Sequence, residues 1–148
     1  DRRSWKLVGA MVEEPPLPLS YRLSPGDESS LHAGASGKAA LAFLPDGEIA
    51  VIVRRGLPRL TADTVTDPDA LQADLARIRA LGYAVSVGER LAGAMGIAAP
   101  VFGAGGIYGS LLVTVPLFRH EDHDRASLIA AVTRHAGRIS QLLPLRGA

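Results

Sequence analysis

The chain has 148 residues, enough for one domain with a substantial core, and at 47% hydrophobic it is globular rather than disordered. Its net charge of +1, from 16 Lys and Arg against 15 Asp and Glu, lacks the basic surplus that would neutralise nucleic-acid phosphates. The absence of cysteine excludes disulfides and thiolate zinc sites and suits a cytoplasmic protein, and no apolar run approaches the ~20 residues of a bilayer span.

Residues 5–13 and 17–23 each read as a strand, the second from its alternation of Leu17, Leu19, Tyr21 and Leu23. Pro15, Pro16 and Pro18 confine their junction to a sheet edge or turn. Ser24-Pro25-Gly26-Asp27 is a turn. A helix is expected over 37–44, with Ser36 as its cap and Pro45 past its end. Free N–H groups near Ala35, Ser36 and Gly37 would attract a carboxylate or another anion. Residues 46–57 carry two signals. Ile49, Val51, Ile52 and Val53 favour a strand; Asp46 as cap, Glu48 in the first turn and Gly56 after Arg54-Arg55 favour a short helix, which is the reading taken.

A polar loop with three Thr spans 57–67. Asp67 then caps a helix with Pro68 at its first position, a stripe of Leu71, Leu75 and Ile78, and Gly82 at its end. Asp69, Asp74, Arg77 and Arg79 form its solvated face. Residues 83–87, 95–102 and 107–115 read as three apolar strands, the last two joined by a Gly103-Ala104-Gly105-Gly106 turn. Small residues on both faces point to a central sheet covered on at least one side, an arrangement that can enclose a small molecule. A polar connector over 116–124 leads to a last helix, 124–143, with Leu128, Val132, Ile139 and Leu142 close to one face. Glu121, Asp122 and Asp124 at its start and Arg134 and Arg138 toward its end suit the helix dipole, and Pro144 stops it.

Several motifs fail on inspection. Gly37-Lys38 lacks the earlier glycine and the following hydroxyl of a phosphate-binding loop, since those positions hold His32 and Ala39. The glycines at 103, 105, 106 and 109 precede a strand, and Tyr108 stands where a dinucleotide fingerprint needs its third glycine. Ser36, between Gly34 and Lys38, lacks the second glycine of a nucleophile elbow. His120-Glu121-Asp122-His123 has metal-like composition, but its place before a helix suits solvated capping residues better. His135 reads as helix surface, and His32 as a hydrogen-bonding residue that holds its loop. No catalytic residue, metal ligand or cofactor is expected.

His32-Ala33, Gly37-Lys38-Ala39, residues 57–61, Gly82-Tyr83-Ala84, Gly88-Glu89 and residues 97–102, taken in order, resemble the effector-binding domain of IclR-type bacterial transcription regulators. The resemblance runs from about Lys6 to the C-terminus. It implies an α/β (α+β) GAF-like domain, with a mainly antiparallel central sheet and helices packed on its faces. It also implies a small-molecule effector, often a carboxylate or aromatic acid, and self-association as a dimer or tetramer. In that family a winged helix-turn-helix domain, absent from this chain, precedes the effector domain and binds DNA. Residues 1–148 are accordingly expected to be a single effector-binding domain, shortened at its N-terminus, from a longer protein that is not an enzyme and does not enter a membrane.

The effector-binding positions implied by the resemblance are Ala35, Ser36, Ser86, Gly96, Val113 and Val115. Many relatives carry hydroxyl side chains at the last two positions; valines here would favour an apolar or aromatic effector over a two-carbon acid. Thr114 lies between them, on the opposite face by strand alternation unless the register slips by one. One residue is also missing before Pro116 relative to the family pattern, which permits such a slip. A dimerisation domain without a pocket and a small metal-dependent enzyme are the alternatives.

Overall fold

The computed structural model describes residues 4–13, 24–118 and 124–143. Strands β1 (Lys6–Val8) and β2 (Glu28–Ser30) pair antiparallel, with Lys6 opposite Ser30. β1 takes three residues of the expected 5–13 strand. The expected 17–23 strand lies outside the described residues, and β2 falls where no element was expected. The turn before β2 closes as expected: the Asp27 N–H donates to the Ser24 carbonyl at 3.0 Å, and the Ser24 N–H donates to Asp27 Oδ2 at 2.8 Å.

Helix α1 (Ala35–Leu41) begins two residues before the expected start. Its cap is Gly34, at φ 82°, a region that favours glycine. Ser36 therefore lies inside the first turn and caps nothing, a correction whose cause is steric. The chain must bend sharply to lay α1 on the end of β2, where a Cβ on Gly37 would come 2.5 Å from the Ser30 carbonyl oxygen. Helix α2 (Asp46–Arg54) follows the helical reading. Ile49 and Ile52, three apart, are buried on one face, so packing overrides the β-propensity of its Val/Ile run. Pro45, not Asp46, holds its N-cap position; Asp46 Oδ1 instead accepts from Arg79 Nη2 at 3.1 Å.

Helix α3 (Pro68–Leu81) forms as its signals dictate. Asp67 accepts from the Ala70 N–H at 2.8 Å, Pro68 opens the helix, and Gly82 ends it in the left-handed region at φ 78°. Leu71, Leu75 and Ile78 are buried. Its outer face is less solvated than expected. Asp74 turns inward to Lys38, and Arg79 donates to the Ala42 carbonyl, because α3 packs across α1.

Strands β3 (Ala84–Val87), β4 (Ala94–Gly103) and β5 (Gly106–Pro116) form one antiparallel sheet in that order. Gly103 pairs with Gly106 across the tight turn. Side chains alternate between two covered faces. Ala84, Ala98 and Leu112 join Leu41, Ile49, Leu71 and Leu75 in one core with α1, α2 and α3. Met95, Ile97, Ala99, Val101 and Val115 meet helix α4 (Arg125–Leu142) in the other. The result is a mixed α/β fold with helices on both faces of an antiparallel sheet.

On α4, Val132 and Ala136 are buried while Ile139 and Leu142 are 37% and 81% exposed, contrary to expectation. The contact stripe advances in steps of four through Leu128, Val132, Ala136 and Ser140, whose Oγ accepts the Phe102 N–H at 2.9 Å. Pro144 and the acidic Glu121 and Asp122 lie outside the described residues. No helix among the described residues is long and apolar enough to cross a membrane.

Candidate functional site

A cavity of about 390 Å³ opens between the start of α1, the end of the sheet and the 88–93 loop. Its floor is one row of residues paired across three strands: Ser86 opposite Gly96, and Gly96 opposite Thr114. The glycine keeps this row open. A Cβ at residue 96 would lie 3.2 Å from Ala35 Cβ and 3.4 Å from Ser86 Oγ. Ala35 and Ser36 bring the first turn of α1 over the floor, and Leu91, Ala94 and Leu112 supply apolar wall.

The loops around the cavity are tied together by buried polar groups. Lys38 Nζ, with its side chain 3% exposed, lies 2.6 Å from Glu89 Oε1 and 2.8 Å from Asp74 Oδ2. Glu89 Oε2 accepts the Gly34 N–H at 3.2 Å. One carboxylate thus holds the 88–93 loop against both the cap and the second turn of α1. The Thr61 hydroxyl donates to the Gly88 carbonyl at 2.6 Å, and the Thr64 hydroxyl to the Glu89 carbonyl at 2.6 Å. Buried His32 donates through Nε2 to the Pro58 carbonyl at 2.9 Å, which is the loop-holding role expected of it. The cavity is therefore preorganised, a condition that lowers the ordering cost of binding.

Of the six residues expected to contact an effector, Ala35, Ser36, Ser86 and Gly96 line the cavity. Val113 and Val115 do not. They pair with Ile97 and Met95 and pack with α4 on the opposite face. Leu112 and Thr114 take the cavity face instead, because β5 pairs with β4 so that Thr114 lies opposite Gly96 and Leu112 opposite Ala98. Reading Thr114 as the hydroxyl of that strand was open from the sequence. Arg90, Leu91, Asp27 and Glu28 also line the cavity and were missed. The only available signal was a charged Gly88-Glu89-Arg90 run at a strand end, which commonly means no more than a solvated turn.

Among the described residues no group of His, Cys, Asp and Glu is arranged to hold a metal ion. His120, Glu121, Asp122 and His123 lie outside the described residues, and His135 is exposed on α4. Asp124, which does not line the cavity, has its carboxyl held below the ordinary carboxylate value by the Ser127 hydroxyl and the Ala126 N–H.

Residues 10–141 match the family model for the bacterial transcriptional regulator IclR C-terminal domain. The HTH-type transcriptional regulator BhcR of Paracoccus denitrificans is 40% identical over 118 residues, covering 78% of this chain and 42% of the relative. The crystal structure of Thermotoga maritima IclR superposes with a TM-score of 0.74 at 28% identity, covering 88% of this chain and 53% of that one. An IclR homolog from Microbacterium hydrocarbonoxydans, solved in complex with 4-hydroxybenzoate, gives a TM-score of 0.74 at 28% identity and covers 88% of this chain and 52% of that one. The chain thus spans about half the length of these relatives or less.

Proposed function

The chain belongs to the IclR family of bacterial transcriptional regulators, as its C-terminal domain, and from that premise we propose that its cavity binds a small carboxylic acid as effector. The observation that carries this reading is the Ser86–Gly96–Thr114 row, an open floor flanked by two hydroxyls and facing the first turn of α1. The hydroxyls can donate to a carboxylate or a ring substituent, while Leu91, Ala94 and Leu112 suit an apolar body. An aromatic acid fits about 390 Å³ better than a two-carbon acid, which would leave most of the space to water. This replaces the argument from Val113 and Val115, which face away. The bound 4-hydroxybenzoate of the structural neighbour supports the same class.

The effector would act by linkage. A ligand that binds one arrangement of the assembled domains better than another shifts their populations, and the change reaches DNA through a helix-turn-helix domain outside this chain. Assembly as a homodimer or homotetramer and residence in the cytoplasm, where the operator lies, belong to the same proposal. Calorimetry and thermal shift with aromatic acids and short oxoacids test it. A ligand at 100 times its Kd stabilises by about 2.7 kcal/mol. Micromolar glyoxylate binding with no aromatic acid bound would overturn the effector class, and no stabilisation by any acid would leave a dimerisation domain.

A further inference from the structure

Four charged side chains line the cavity: Asp27, Glu28, Glu89 and Arg90. The three acids are each engaged. Glu28 pairs with Lys6 at 2.5 Å, Asp27 accepts the Ser24 N–H at 2.8 Å, and Glu89 uses its two oxygens on Lys38 and the Gly34 N–H. Arg90 has no hydrogen bond or ion pair among the described residues. Its neighbour Glu89 would be the natural partner, but that carboxylate already serves Lys38 and the cap of α1.

The base of Arg90 is nonetheless fixed. The preceding carbonyl, of Glu89, accepts from the Thr64 hydroxyl at 2.6 Å, and the Gly88 carbonyl before it from the Thr61 hydroxyl at 2.6 Å. Its stem packs over the cap of α1, where a Cβ on Gly34 would lie 3.3 Å from Arg90 Cβ and 3.7 Å from Cδ. A cavity-lining arginine with a held stem and a guanidinium that has no partner among the described residues is a preorganised donor fork. Its planar geometry matches a carboxylate bidentately, and a half-buried site strengthens the pair relative to open solvent.

We infer that Arg90 anchors the carboxylate of the effector at the cavity rim, leaving Ser86 and Thr114 on the floor to read a hydroxyl or oxo group at the other end of the molecule. The Lys38–Glu89 pair has a second role in this scheme, since it keeps Glu89 from closing on Arg90. The inference rests on the cavity being the effector site and adds the residue that selects for an anion.

Benzoate and its neutral isostere benzamide are the probes, followed by two-dimensional NMR of backbone amides and arginine Nε–Hε groups. The Arg90 Nε–Hε signal is assigned by its loss in Arg90→Gln. Benzoate at millimolar concentration is expected to shift that signal together with the Ser36 and Gly96 amides, and benzamide to bind far more weakly. Arg90→Gln should weaken benzoate about tenfold or more, and Arg90→Lys, which keeps the charge but not the fork, by less. Unchanged thermal unfolding of both variants without ligand confirms that they fold. If benzoate moves the cavity amides equally in wild type and Arg90→Gln, the anchor is wrong and the effector site stands. If benzoate moves no cavity amide, anchor and site both fail.

Discussion

On the α4 side of the sheet, Met95, Ile97 and Val115 are at most 5% exposed and sit among apolar neighbours. One residue away along the same strands, Gly96 and Thr114 face open space beneath α1. The α4 side is a closed packing surface, sealed by side chains that fill it. The α1 side is held apart, with glycine and hydroxyls on its floor and a buried ion cluster bracing its rim. Alternation alone separates the two, so a shift of one residue in register would exchange a packing surface for a binding surface.

Breaking the brace is expected to have the largest effect. Lys38→Ala removes the cation from between Glu89 and Asp74 and leaves Glu89 with a single N–H partner. Removing one member of a buried pair costs about 3–5 kcal/mol, readable by urea unfolding. A loss below about 1 kcal/mol, typical of a surface pair, would mean that the carboxylates relax into water and that the cavity side carries little stability. Ile97→Ala, on the α4 side, comes next. Ile97 is fully buried, and truncating such a residue costs about 2–5 kcal/mol through lost transfer energy and the space left behind. Ligand affinity in the folded fraction should stay at its wild-type value, since Ile97 does not line the cavity.

Exchanging hydroxyl for methyl on neighbouring residues sharpens the contrast. Thr114→Val should change stability by less than about 1 kcal/mol and weaken an aromatic acid roughly two- to tenfold, the worth of one hydrogen bond. Val113→Thr places a hydroxyl among Ile97, Val115 and the α4 side chains, and should cost about 1–3 kcal/mol in stability with affinity unchanged. Calorimetry alongside thermal unfolding separates the two outcomes. Reversed results would mean that β5 lies one residue out of the register described.

Most of the fold was legible because its signals are local. Asp67-Pro68 and Gly82 bound α3 wherever that helix packs, and the glycine turn fixes the β4–β5 hairpin. The errors arise where distant parts of the chain decide. Ser36 looks like a cap until β2 is seen to force the bend at Gly34. Asp74 looks solvated until Lys38, 36 residues earlier, is placed beneath it. At the site, the resemblance points to Ala35, Ser36, Ser86 and Gly96, which line the cavity, and to Val113 and Val115, which lie on the α4 face. Only the pairing of β5 with β4, which sets Thr114 opposite Gly96, shows where the alternation goes. The Gly88-Glu89-Arg90 run does not single out Arg90, because its freedom depends on what Lys38 and Gly34 do to its neighbour.

The smallest expected effect lies at the helix that closes the packing side. Asp124 caps α4, accepting from the Ser127 hydroxyl at 2.5 Å and from the Ala126 N–H at 3.0 Å, and both hold its carboxyl below the ordinary value of 3.8. A depressed folded-state value means that the charged cap favours the folded chain. Its contribution is fully present above pH 3.8 and disappears as pH falls through the lower folded value. Asp124→Asn keeps an acceptor at the cap but cannot titrate. The difference in urea-unfolding stability between wild type and Asp124→Asn should therefore be constant above the ordinary carboxylate range and shrink below it. Among the described residues Asp124 bonds only within α4, to Ala126 and Ser127, so the affinity of an aromatic acid at neutral pH should be the same in both. A change in affinity would show that α4 and the cavity are coupled through the sheet, and that its two faces are less independent than their packing suggests.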